Sequence, residues 1–89
     1  MIEKEIIVQN KTGIHTRPAS KLVKLASKFK SQLFISRDGF QVNGKSIIGV
    51  MTLAAEQGCK LIFKFDGPDE VEAAEAIESL INNKFDEVL

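Results

Sequence analysis

The chain has 89 residues, 44% of them hydrophobic, and its charges cancel to a formal net of zero. That is enough for one core and too little for several, so a single domain over residues 1–89 is expected. One cysteine, Cys59, excludes an internal disulfide. No apolar run approaches the ~18 residues of a membrane span, and Met1-Ile2-Glu3-Lys4-Glu5 lacks a signal peptide's apolar core, so a reducing, cytoplasmic setting without membrane insertion is expected.

Ile2 to Gln9 alternates Ile2, Lys4, Ile6, Val8 against Glu3, Glu5, Ile7, Gln9, the period of a strand with one buried face. Asn10 to Gly13 is turn chemistry. From Thr16 to about Phe29, apolar Ala19, Leu22, Val23, Ala26 and Phe29 fall at helical spacing. Leu33 to Arg37 and Phe40 to Asn43 flank Asp38-Gly39, a pair that favours a two-residue hairpin. Ser46 suits the N-cap of a short helix from Ile47 to about Ala55, weakened by Gly49 and closed by Gln57-Gly58. Lys60 to Asp66 alternates again as a fourth strand. Gly67-Pro68-Asp69-Glu70 opens a last helix whose core face reads Val71, Ala74, Ile77, Leu80 and Ile81, with acids in its first turn. Lys84 to Leu89 reads as a fraying tail. The order βαββαβα makes the protein α+β, and its economical packing is a mostly antiparallel four-stranded sheet with three helices on one face.

Charge is unevenly placed. Residues 11–30 carry Lys11, Arg17, Lys21, Lys24, Lys28 and Lys30 with no acid, while residues 66–89 carry eight acids against Lys84 alone. The basic stretch fits an acidic partner or an anionic substrate as well as a merely solvated helix face.

Within that stretch lies Gly13-Ile14-His15-Thr16-Arg17-Pro18-Ala19, where a loop becomes a helix. The first turn of a helix has N–H groups without intrahelical partners and a partial positive charge, so it attracts anions. Pro18 fits the helix start because its missing N–H is not needed there. Arg17 adds a donor fork matched to phosphate oxygens. The only histidine, His15, stands at this point, and a neutral imidazole nitrogen is a nucleophile. It could accept a phosphoryl group, or it could be an ordinary surface or capping residue.

The seven-residue string resembles the active-site signature of the HPr family, the histidine phosphocarriers of the phosphoenolpyruvate-dependent phosphotransferase system. Val42-Asn43-Gly44-Lys45-Ser46-Ile47-Ile48-Gly49-Val50-Met51 resembles that family's regulatory-serine segment, and length and element order agree. The resemblance implies an open-faced β-sandwich with sheet order 1-4-2-3. It implies that His15 is phosphorylated on Nδ1 by enzyme I, which draws on phosphoenolpyruvate, and passes the group to enzyme IIA proteins, with Arg17 stabilising charge. It further implies that Ile47, Ile48 and Met51, with Thr16, Ser20 and Lys24, dock those partners. Ser46 would be a substrate of an HPr kinase/phosphorylase, with transcriptional regulators as further partners. A monomeric carrier rather than an enzyme is implied, with no metal or organic cofactor and no nucleic acid expected.

Alternatives stay open. Ile47, Ile48 and Met51 could simply be core, and Ser46 only a cap. The stretch from Asn43 to Ala55 and Asn83-Lys84-Phe85-Asp86-Glu87 resemble a branch that includes nitrogen-related phosphocarriers, whereas Pro18 agrees with the sugar branch. An adaptor acting through Ser46 without carrying phosphate is a second reading. Gly39-Phe40-Gln41-Val42-Asn43-Gly44-Lys45-Ser46 also satisfies G-x-x-x-x-G-K-S, but Phe40 and Val42 alternate as a strand where a phosphate cradle needs loop backbone. RNA binding has no support from tyrosine, tryptophan or an RNP-like aromatic string.

Overall fold

The structure, a computed structural model, describes residues 1–86. Its elements are β1 (Ile2–Ile7), α1 (Thr16–Ala26), β2 (Gln32–Arg37), β3 (Phe40–Asn43), α2 (Ile47–Thr52), β4 (Lys60–Asp66), α3 (Glu70–Asn82) and a terminal 3-10 turn (Lys84–Asp86). The four strands form one sheet in the order β1-β4-β2-β3, every neighbouring pair antiparallel. The three helices cover one face, as the sequence implied.

Strand period explains which face is covered. Leu61, Phe63 and Phe65 on the central β4 are buried, and so are Leu33 and Ile35 on β2, Ile6 on β1 and Val42 on β3. Phe63 and Phe65 stack with ring centroids 6.3 Å apart. Against them lie Ala19, Leu22 and Ala26 of α1, Val50 of α2, and Ala73, Ala74, Ile77 and Ile81 of α3. The opposite face carries exposed cross-strand ion pairs, Lys60 with Glu5 at 3.8 Å and Lys64 with Glu3 at 3.9 Å. Asp38 and Gly39 have φ of 51° and 86°, the positive pair that a twisted two-residue hairpin requires.

Several expected boundaries move, each because a long-range contact decides the end. Helix α1 stops at Ala26, not near Phe29. Beyond it Lys28 and Phe29 donate to carbonyls three residues back, and the Lys45 ammonium takes the Phe29 carbonyl at 2.7 Å. Helix α2 stops at Thr52, before Ala55 and well before Gly58, because Ala54 turns into the left-handed region at φ 50°. Gly58 instead donates to the Val8 carbonyl and Val8 to the Cys59 carbonyl, so both residues splice β1 to the start of β4. On α3, Val71 is 52% exposed, not core, and Ala73 takes a core place. At 100° per residue Val71 is turned roughly a third of a circle from the stripe centred on Ile77.

The tail is the largest correction. Phe85, expected to fray, is fully buried in the 3-10 turn, and Lys21 of α1 donates to its carbonyl at 2.7 Å. Residues 87–89 of the expected tail lie outside the described residues.

Candidate functional site

His15 occupies the N-cap position of α1, with φ −103° and ψ −163°, and its carbonyl accepts the first helical bond from Ala19 at 2.9 Å. Its imidazole makes no capping bond and is exposed. A histidine that served as a cap would be engaged with the helix amides. The loop before it is built tightly. Asn10 is wholly buried and its Nδ2 donates to the Gly13 carbonyl at 2.7 Å and to Thr12 Oγ1 at 3.2 Å. Gly13 has φ 69°, and a Cβ there would lie 2.4 Å from the Ala55 carbonyl oxygen. That same oxygen receives the Ile14 N–H at 2.8 Å. The segment after α2 therefore holds the loop that carries His15.

Arg17 is exposed two residues on, and Pro18 is buried in the first turn. Among the described residues, none of Lys11, Arg17, Lys21, Lys24, Lys28 and Lys30 belongs to an ion pair, whereas the N-terminal ammonium pairs with Glu70 and Lys4 with Glu78. Among the described residues, no carboxylate therefore neutralises these cations by direct pairing. Thr16 and Lys24 are exposed and Ser20 is half-buried.

Helix α2 packs beside α1 and presents Ile48 at 78% exposure, with Ile47 and Met51 at about 40%. The core reading of these three fails, because α2 sends Val50 inward instead. Ser46 caps the helix: its Oγ accepts the Gly49 N–H at 3.1 Å. It is half-buried, so its hydroxyl is both a cap and within reach of solvent.

The P-loop pattern dissolves. Phe40 to Asn43 is strand β3, paired from Arg37↔Phe40 to Phe34↔Asn43, so its amides serve the sheet. Lys45, which would have to reach a phosphate, is bound to the Phe29 carbonyl. No group of three or more His, Cys, Asp or Glu among the described residues could hold a metal, and no described helix is long and apolar enough to cross a membrane.

Comparison with known proteins agrees with this arrangement. Residues 2–83 match the family described as the PTS HPr component phosphorylation site. The chain belongs to the HPr family. The phosphocarrier protein HPr of Treponema pallidum is 48% identical over 87 residues, spanning 98% of this chain and 99% of that one. The crystal structure of HPr from Thermoanaerobacter tengcongensis superposes with a TM-score of 0.95 at 46% identity, covering all of both chains. The HPr-like protein Crh of Halalkalibacterium halodurans is 43% identical over 84 residues, covering 94% of this chain and all of that one. Family membership gives the general role, phosphocarriage in the phosphotransferase system, and the general partners, enzyme I and enzyme IIA proteins.

Two residues of the site region are not legible from spacing. Arg37 sits at a strand end and reads as hairpin polarity, yet it binds the carbonyls that end α2. Ala55 carries no side-chain chemistry at all, and its role lies in its carbonyl.

Proposed function

We propose that His15 is the phosphoryl acceptor, loaded by phospho-enzyme I and emptied onto an enzyme IIA. The observation that carries this is an exposed imidazole, unengaged by the helix it heads, inside the family's phosphorylation-site segment. One ring nitrogen, Nδ1 by family resemblance, attacks phosphorus. A new N–P bond forms as the donor's bond to phosphorus breaks, and the same exchange runs in reverse order onto the acceptor. Positioning and electrostatics dominate such a transfer. Arg17 screens the charge on the PO₃ group, and the cations of α1, Arg17, Lys21 and Lys24, favour an acidic partner surface. Ile47, Ile48 and Met51, with Thr16, Ser20 and Lys24 at the rim, form the docking face. The protein works as a cytoplasmic, single-domain monomer.

Ser46 is the regulatory site in this proposal. A phosphate on its oxygen would stand at the head of α2, where amides and dipole favour it, so the fold tolerates it. Its charge beside the apolar docking face would oppose an acidic partner. A regulatory adaptor acting through Ser46 is a second reading, favoured by the likeness to Crh, the catabolite repression HPr of Bacillus subtilis, while the presence of His15 favours carriage.

The test is incubation with enzyme I and phosphoenolpyruvate, followed by phosphorus NMR. Wild type is expected to give an acid-labile phosphoramidate signal that His15→Ala lacks. Equal labelling of the two proteins removes the proposal.

A further inference from the structure

We infer that Arg37 is a positioning residue for His15, acting through the chain reversal after α2; this rests on reading His15 as the phosphoryl acceptor. Arg37 ends β2 two residues beyond the buried Ile35, so its side chain leaves the sheet on the helix side. Its Nη1 donates to the Leu53 carbonyl at 3.0 Å and to the Ala54 carbonyl at 2.8 Å. Its acidic neighbours are farther away, Glu56 at 3.8 Å from Nη2 and Asp38 at 3.9 Å from Nε, so the two carbonyls are its principal partners.

Those carbonyls frame a strained point. Ala54 has φ 50°, a conformation that residues with a Cβ seldom adopt and that persists only where its surroundings enforce it. A guanidinium held by two charge-assisted bonds supplies that enforcement. The next carbonyl, on Ala55, takes the Ile14 N–H at 2.8 Å, and Gly13 lies so close to it that no Cβ could be accommodated. Ile14 is 4% exposed and directly precedes His15. The relay from Arg37 through Leu53, Ala54 and Ala55 to Ile14 fixes where the backbone enters α1, and hence where the imidazole stands.

The experiment compares Arg37→Ala and Arg37→Lys with wild type by amide hydrogen exchange and by the kinetics of phosphoryl transfer from enzyme I. In Arg37→Ala the Ile14 amide is expected to lose protection by about tenfold more than the Phe63 amide of the central strand. The same variant should lose about tenfold in kcat, because a slightly displaced nucleophile slows transfer; a rise in KM from the loosened end of α2, which carries the docking face, comes in addition to that loss. Arg37→Lys, which keeps a cation able to reach a carbonyl, should recover most of both losses. Loss of protection at Ile14 only in step with Phe63, a change confined to KM, or a lysine variant no better than alanine would each overturn the inference. Should Arg37→Ala not fold, Arg37→Gln is read by the same three criteria. Wild-type protein that takes up no phosphoryl group overturns the reading of His15, and Ile14 exchange then still decides whether the relay exists.

Discussion

Asp69 shows how a single side chain can be drawn away from the task its position suggests. It stands at the N-cap of α3 but makes no cap bond with its carboxylate. The carboxylate accepts instead from the Ser31 hydroxyl and from the backbone N–H groups of Lys30 and Ser31, at 2.9 Å each for the amides. The Ser31 hydroxyl, then the Lys30 amide, hold its pKa down at about 2. A carboxyl whose folded pKa lies below its unfolded value of about 3.9 stabilises the fold above that value, and the contribution is lost as pH falls toward 2. Wild-type melting temperature should therefore fall between pH 4 and 2, and Asp69→Asn should flatten that part of the profile while lowering the melting temperature at neutral pH. An unchanged acid slope in the variant would place the titration elsewhere. Glu70 adds to the same trend, its pKa lowered by the Gly67 amide and the N-terminal ammonium.

At the scale of elements, Ser46 ties a six-residue helix to the proposed regulatory site. Helices this short are marginal alone, so α2 depends on the packing of Val50 against the core and on this cap. Ser46→Ala should destabilise the protein by about 1 kcal/mol, read as a lower urea midpoint at constant slope. Ser46→Asp keeps an acceptor for the Gly49 amide and adds favourable charge at the helix start, so its midpoint should stay near wild type while its affinity for enzyme I falls. Elements with a strong period were legible in the residues: β4 from its alternation, the hairpin from Asp38-Gly39, the start of α1 from Pro18. Ends were not. The end of α1 is set by Lys45 and that of α2 by Arg37, residues distant in sequence, and no local pattern carries that information. The candidate site was legible in its side chains, His15, Arg17 and Ser46. The backbone that holds it, from Asn10 through Gly13 to Ala55, was not, because carbonyls have no sequence signature.

For the whole molecule, closure depends on a residue that looks expendable. Phe85 follows Lys84 in a polar run with no period to betray burial, and it adopts positive φ, 56°, to turn its ring inward. There it packs against the core, and its carbonyl holds Lys21 of α1, so the chain's far end secures the helix that carries His15. If that closure is structural, Phe85→Ala should destabilise by about 3–5 kcal/mol, the range for emptying a buried aromatic site; a frayed tail would tolerate the change within about 0.5 kcal/mol. Urea unfolding separates the two. Because α1 loses its distal anchor in the variant, hydrogen exchange should also show α1 amides opening more readily than those of β4, which keeps both its neighbours in the sheet. A domain of this size has only about 5–15 kcal/mol in hand, so loss of this one ring would remove a large share of its stability from a position remote from the phosphoryl chemistry.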